Sequence, residues 1–193
     1  MAVNYLETFF LGVGLAMDAA AVSAVNGFTE PKMKLIKTLF MAFLYGTFQG
    51  VMPLIGYAAG SLVVNLVSKI LPYVALILLT YLGGKMIYDG IKGEDEENED
   101  IVNGITMKTL LLQSVATSID ALSVGLLFTE DTFVEALVQS SIIDIVTFAI
   151  SFVSFFVGKY FGTFLNDKAQ IFGGCVLIFI GLKIFYEYLK SVV

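Results

Sequence analysis

The sequence contains no histidine, no tryptophan and no arginine, and it has a single cysteine. The absence of histidine excludes metal sites built on imidazole ligands and catalysis by a histidine base. One cysteine cannot form an intrachain disulfide, and because Cys175 stands in an apolar run we expect it to pack inside the protein. Without histidine or a second cysteine no nucleophile–base constellation can be assembled, so we do not expect an enzyme.

Charged residues are also scarce, at 15% of the 193 residues, whereas 58% are hydrophobic. About a quarter of a soluble domain is charged, so this composition indicates an integral membrane protein. Most of the net charge of −6 comes from one acidic run, Glu94 to Asp100, which we interpret as a solvated linker. The first apolar stretch is about 20 residues long and contains Asp18, which indicates a retained helix and not a signal peptide.

Six apolar segments separated by short polar breaks predict six transmembrane helices, since each has the roughly 20 residues that a spanning helix needs. The segments are 6–26, 38–66, 72–91, 108–129, 136–164 and 170–189. The second and fifth are longer than a bilayer requires, so we expect them to tilt, kink or project, and Pro53 offers the second a kink point. The predicted fold class is an all-α integral membrane protein.

Two aspartates stand inside these apolar segments, and their surroundings match. The run Gly14–Ser23 contains Asp18, and the run Ala116–Gly125 contains Asp120, 102 positions later. A carboxylate inside a membrane-length helix costs several kcal/mol unless it is paired, solvated or neutralised. Both aspartates are therefore candidates for a function.

Two further pairs of segments match in the same order. They are Gly56–Gly60 with Gly158–Gly162, also 102 apart, and Gly83–Asp89 with Gly181–Glu187, 98 apart. These matches predict a duplicated three-helix unit: a first repeat at 1–92, an acidic cytoplasmic linker at 93–107 and a second repeat at 108–193. Because each repeat has an odd number of spans, the two are inverted, as in alternating-access transporters that bind their substrate at the midplane. A purely structural bundle would not require an aspartate in each copy.

The eleven lysines set the predicted orientation. One side of the membrane carries Lys32, Lys34, Lys37, Lys85, Lys92, Lys108, Lys159 and Lys168, and the other carries Lys69, Lys183 and Lys190. Because cytoplasmic loops are enriched in lysine, we place the first side in the cytoplasm. The prediction is a multi-pass protein of the cell membrane with both termini outside.

Polar side chains share a face with each aspartate. Thr117 and Ser123 lie three residues before and after Asp120, Gln113 lies seven before it, and Asn26 lies two turns beyond Asp18. The fifth span has a polar stripe of Ser140, Asp144, Thr147 and Ser151, which the offset of 102 matches to Thr38, Ala42, Tyr45 and Gln49. Polar faces are costly against lipid, so we expect them to surround a shared cavity.

The two carboxylates lack an evident counter-ion, because Lys85, Lys159 and Lys183 fall near span ends. We therefore expect no lysine beside them, which leaves a proton or a metal. The available ligands are all oxygens, a set that suits Mg²⁺, Ca²⁺ or Mn²⁺. The thioether of Met17 would favour Mn²⁺, although a core methionine is the commoner outcome.

The energy source must be an ion gradient. Expelling a divalent cation from a negative-inside cell costs about 4.6 kcal/mol per 100 mV, and the sequence has no phosphate-binding loop for ATP. A carboxylate pair that holds either protons or one divalent ion fits an exchanger, and two protons in for one metal out would be electroneutral.

Several blocks resemble the MntP family of manganese exporters over nearly the whole chain. They are Met17–Ala19, Pro53–Gly56, Gly83–Ile87, Ala116–Ala121 and Gly173–Gly181. The resemblance implies a six-helix exporter that lowers cytoplasmic Mn²⁺, with Asp18 and Asp120 at its centre, and kinship with LysE-type exporters. Gln49 stands where some members carry Glu. Asp144 stands where a small or neutral residue is expected, and it either adds a third carboxylate or lies near a water-filled mouth.

The predicted function is secondary-active export of Mn²⁺ by proton antiport. The candidate metal ligands are Asp18, Asp120, Gln49, Thr117, Asp144, Asn26 and Ser123. The expected partners are Mn²⁺, protons and the lipid bilayer, with no nucleic acid and no resident cofactor, and a homo-oligomer stays open. The alternatives are an exporter of an amino acid or other small cation, and a non-transporting membrane assembly factor that would tolerate Asp18→Asn.

Overall fold

The computed structural model describes residues 5–92, 105–165 and 169–192, and within these ranges the chain is helical, without strands. The elements are α1 (Tyr5–Thr29), α2 (Leu35–Lys92), α3 (Met107–Thr117), α4 (Ile119–Val124), a 3₁₀ helix (Gly125–Phe128), α5 (Phe133–Leu165) and α6 (Ala169–Val192). The all-α prediction is confirmed for these ranges. Most of the predicted acidic linker, residues 93–104, lies outside them.

Four segments of the described chain are long and apolar enough to cross a membrane: Tyr5–Thr29, Leu35–Gly60, Phe133–Phe161 and Ile171–Lys190. A fifth candidate consists of α3, α4 and the 3₁₀ helix, which are long and apolar enough only when taken together and are bent by 41° at the break. The third predicted span corresponds to a shorter apolar helix, Pro72–Tyr88. The protein is therefore a multi-pass membrane protein with four or five candidate spans by length and composition, and the sixth stays a prediction.

The kink expected at Pro53 lies at Gly60 instead. Gly60 has φ 66° and ψ −179°, and it divides α2 into two helices. That backbone conformation is open essentially to glycine alone, because a Cβ would clash. Pro53 is accommodated within the helical part of α2, so the glycine and not the proline changes the direction of the chain.

The helices pack closely through small residues. α1 packs most extensively against α5, while α2 packs against α6 and α5. Gly27 meets the backbone of Phe155, and Gly158 meets the backbone of Ala24, so α1 and α5 approach with no side chain between them at these points. Such contacts are a common means of helix association in membranes. Cys175, expected to pack inside, is exposed on α6.

Candidate metal centre

Asp120 lies immediately after a break in a helix. Ser118 has φ −106° and ψ 8°, which separates α3 from α4, and Asp120 falls in the first turn of α4. Its Oδ1 accepts a hydrogen bond from the backbone N–H of Ala121 at 2.9 Å. The first turn of a helix has backbone N–H groups without partners in the helix, so it favours a carboxylate. The break thus gives Asp120 a polar environment inside an apolar segment.

Asp18, on α1, forms an ion pair that the sequence did not lead us to expect. The Lys183 ammonium on α6 donates to Asp18 Oδ1 at 3.1 Å, and the two side chains are 42% and 17% exposed, respectively. The expectation of no lysine beside the aspartates was therefore wrong for Asp18. That expectation assumed that the Lys183 ammonium lies at the same depth in the membrane as its own backbone. The long aliphatic side chain of lysine can instead carry the ammonium away from that level.

Two side chains on other helices influence the Asp120 carboxylate. Asp18 acts electrostatically on Asp120, and the Gln49 side-chain amide lies beside the Asp120 carboxylate. Gln49 is fully buried, and its Nε2 donates to the backbone carbonyl of Leu15 at 3.1 Å. Its Oε1 has no hydrogen-bond partner among the described residues. A buried carbonyl oxygen without a partner is costly, and it is the kind of oxygen that binds a hard divalent ion.

No group of three or more acidic or cysteine side chains with the geometry of a metal site occurs in the described ranges. Two carboxylates alone would leave most positions around a divalent ion to neutral oxygens. Amide, hydroxyl and backbone carbonyl oxygens are suitable ligands for such ions. The Asp18–Asp120–Gln49 group fits a hard cation in its chemistry.

The structure places Asn26 in a second polar group, which we call the Asn26 cluster: Asn26, Tyr45 and Gln113, all buried. Asn26 Nδ2 donates to Tyr45 Oη at 2.9 Å and to Gln113 Oε1 at 3.0 Å, and Gln113 Nε2 donates back to Asn26 Oδ1 at 3.1 Å. Tyr45 Oη donates to Gln113 Oε1 at 2.8 Å. Eight residues of helix separate Asn26 from Asp18, roughly 12 Å. The carboxamide of Asn26 is thus bonded within its own cluster.

The other predicted ligands lie in different settings. Thr117 is buried, and its hydroxyl donates to the Gln113 carbonyl at 2.9 Å within α3. Ser123 is exposed one turn after Asp120. Asp144 is half-buried where α5 crosses α2, against Gly46 and Gly50.

The polar stripe contains three buried hydroxyls without a hydrogen-bond partner among the described residues, and none of them was selected: Ser140, Thr147 and Ser151. The Thr147 hydroxyl is fully buried and has no hydrogen-bond partner among the described residues. Ile143 packs at Gly12, and the Ser151 carbonyl accepts a hydrogen bond from Ser23. Asp18 lies between these two contacts on α1, and Thr147 lies between them on α5. The two residues therefore lie at a similar height along the packed helices. The spacing of the stripe was the signal that could have found Thr147.

Comparison with known proteins identifies relatives along nearly the whole chain. A family model described as "Putative manganese efflux pump" matches residues 32–185. Proteins named "Putative manganese efflux pump MntP" from Gloeothece citriformis and Ruminiclostridium cellulolyticum are 41% and 42% identical over 189 and 187 residues. The alignments cover 97% of this chain in both cases, and 97% and 98% of the relatives. A protein of the same name from Methanosarcina mazei is 40% identical over 189 residues, with 97% of this chain and 98% of the relative covered. No solved structure matches.

The apolar helices and these relatives define a multi-pass membrane protein of the transporter class and not an enzyme. The chain belongs to the MntP family of manganese efflux pumps. The resemblance seen in the sequence is confirmed.

Proposed function

We propose that the protein exports Mn²⁺ from the cytoplasm in exchange for protons, and that Asp18, Asp120 and Gln49 bind the ion. The names of the relatives support the cargo and its direction. The observation that carries the choice of site is the Gln49 Oε1, a buried oxygen with no partner in the described chain, in a side chain that lies beside the Asp120 carboxylate.

The charge of the site supports exchange with protons. Two carboxylates neutralise one Mn²⁺, and two protons neutralise the same pair, so the two loaded states carry equal charge. A site that is neutral in both states avoids the cost of carrying net charge through a membrane. We propose the Thr147 hydroxyl, which is buried without a partner at a level similar to that of Asp18, as a further neutral ligand.

We propose that the two halves are inverted repeats. In each half the second and third spans correspond to those of the other half at an offset of 98 positions. That offset pairs Gly46 with Asp144 and Gly50 with Phe148. In support, Gly46 meets Phe148 and Gly50 meets Asp144, two contacts that a pseudo-two-fold axis would exchange. The offset of 102 expected for the second and fifth spans does not relate these contacts. The first and fourth spans keep the offset of 102, so the four-residue difference falls in the connection to the next helix.

Contacts between the last helices support the same register. Gly83 packs against Gly174, and Gly181 packs against Leu76. The offset of 98 converts one contact into the other. It also pairs Gln49 with Thr147, two of the four described side chains that have a buried oxygen without a hydrogen-bond partner. In the proposed repeat Thr147 would lie near Asp18 as Gln49 lies near Asp120.

We propose that this conformation is closed on the predicted cytoplasmic side. The Asn26 cluster joins α1, α2 and α3 between the aspartates and that side. Further out, Glu30 binds Lys37 at 3.0 Å and accepts a hydrogen bond from the Ile105 backbone N–H at 2.7 Å. Lys37 belongs to the lysine-rich side, so the site can open to the cytoplasm only when these contacts break.

Transport into sealed vesicles tests the proposal. The protein is reconstituted in proteoliposomes loaded with a manganese-sensitive dye, and a proton gradient is imposed. Mn²⁺ uptake should depend on the gradient and fall to background with Asp18→Asn or Asp120→Asn. Glu130→Gln removes an exposed carboxylate outside this site and should transport normally. Uptake that is unchanged when the gradient is collapsed would eliminate proton coupling.

One observation favours a second candidate, an exporter of an organic ammonium compound. Asp18 binds an ammonium group in this structure, that of Lys183. Competition separates the two: stabilisation of the purified protein by Mn²⁺ and not by free lysine selects the metal, and the reverse result selects the amino acid.

A further inference from the structure

Lys183 occupies the carboxylate on which the proposed metal site depends. Its ammonium lies 3.1 Å from Asp18 Oδ1. A divalent cation bound by Asp18 would meet that ammonium at close range, and two cations repel each other in a medium of low dielectric constant. Asp18 therefore cannot bind the Lys183 ammonium and a divalent cation at the same time.

We propose that Lys183 acts as a tethered cation that holds Asp18 while the site is empty and leaves when Mn²⁺ binds. This inference rests on the proposed function. The exposures support a lysine that can withdraw, because its side chain is 42% exposed whereas that of Asp18 is 17% exposed. Its withdrawal from Asp18 therefore does not require buried side chains to rearrange.

The sequence repeat supplies a counterpart. Lys85 corresponds to Lys183 at the offset of 98, and Asp120 corresponds to Asp18. Lys85 is exposed and makes no hydrogen bond or ion pair with any residue that the structure describes. In inverted-repeat transporters the two halves exchange conformations when the site changes sides. In the opposite-facing state Lys85 therefore pairs with Asp120, while Lys183 releases Asp18.

A tethered cation has a consequence for transport. The empty site keeps one carboxylate neutralised, so the pair carries less uncompensated charge before the protons of the return step bind. Mn²⁺ must displace the lysine, which weakens its apparent affinity and helps its release on the far side. Lys183 is therefore a positioning and competing residue and not a ligand.

Mn²⁺ affinity of the purified full-length protein in lipid nanodiscs, measured by calorimetry, tests the inference. Lys183→Gln removes the competitor and should tighten Mn²⁺ binding about three- to tenfold. Lys183→Arg keeps a cation that pairs well with a carboxylate, so it should bind no tighter than the unmodified protein. Lys190→Gln removes an exposed charge from the same helix and should leave the affinity unchanged.

The outcomes separate this inference from the proposed function. If the unmodified protein does not bind Mn²⁺, the proposed function fails. If it binds Mn²⁺ but Lys183→Gln binds equally or less tightly, while thermal unfolding shows that the variant is folded, the tethered-cation role is overturned. In proteoliposomes Lys85→Gln should lower the transport rate at least threefold, and an unchanged rate would overturn the role of Lys85.

Discussion

Gly46 on α2 and Asp144 on α5 are in direct contact, with no room for a side chain at position 46. A Cβ added there would lie 2.5 Å from Asp144 Oδ1 and 2.8 Å from the Asp144 backbone oxygen. These two residues are 98 positions apart, so in the proposed repeat they are each other's counterparts. In that proposed repeat the pseudo-two-fold axis would pass between them, where α2 crosses α5.

Gly46→Ala should therefore destabilise the protein. A methyl group at this crossing forces the helices apart or displaces Asp144, and overpacking of this kind costs about 1–3 kcal/mol. Thermal unfolding in detergent would measure the loss. Gly14→Ala is the matched control, because nothing lies within 4 Å of a Cβ at that position. Equal effects of the two substitutions would contradict the packing described here.

Thr147→Val should have opposite effects on stability and on metal binding. The substitution removes a buried hydroxyl without a partner, so stability should stay level or rise by about 1 kcal/mol. Mn²⁺ affinity should fall about tenfold. Thr38→Val is the control, since Thr38 is also buried but its hydroxyl bonds to the Lys34 carbonyl. A Thr147→Val variant with full affinity would remove this residue from the site.

Substitutions at Gln49 should distinguish the contribution of its Oε1 to Mn²⁺ binding from that of its side-chain volume. Gln49→Leu keeps similar bulk but removes the Oε1, and we expect Mn²⁺ affinity to fall at least about tenfold. Gln49→Glu supplies a charged oxygen and should bind Mn²⁺ more tightly, because hard divalent ions prefer carboxylates. Calorimetry should rank the Mn²⁺ affinity in the order Gln49→Glu, unmodified protein, Gln49→Leu, from the tightest to the weakest. Unchanged binding by Gln49→Leu would show that this oxygen is not a ligand.

Tyr45→Phe should loosen the closed side of the protein. The substitution leaves Gln113 Oε1 without its 2.8 Å donor and Asn26 Nδ2 without one acceptor, at a cost of about 1–2 kcal/mol. Hydrogen exchange in α1 and α3 should rise near these residues. Tyr57→Phe removes only a half-buried hydroxyl bonded to the Asp131 carbonyl, so its effect should be smaller. The reverse order would contradict a closing role for the Asn26 cluster.

The sequence predicted the class and the helical fold because both depend on composition and on the length of apolar runs. It also brought Asp18 and Asp120 into one hypothesis through the matching residues around them. Gln49 was selected from the residues of the second span that match the polar stripe, and the structure places it beside Asp120. These choices came from the match between the two halves and from the spacing of polar residues along each helix.

Other features depend on contacts between helices, which periodicity does not contain. The ion pair of Lys183 with Asp18 requires the path of a flexible side chain across two helices. Asn26 shares the helix of Asp18, yet its partners lie on α2 and α3, so it belongs to another cluster. The kink lies at Gly60 because the backbone there needs a positive φ, which no rule about proline would locate.

The most direct test of the central claim is the binding of Mn²⁺ to the purified full-length protein, followed by the electron paramagnetic resonance of the ion. We predict one bound Mn²⁺ per chain in the unmodified protein, and loss of that bound signal in both Asp18→Asn and Asp120→Asn. Full occupancy and unchanged affinity in either variant would contradict a site shared by the two carboxylates.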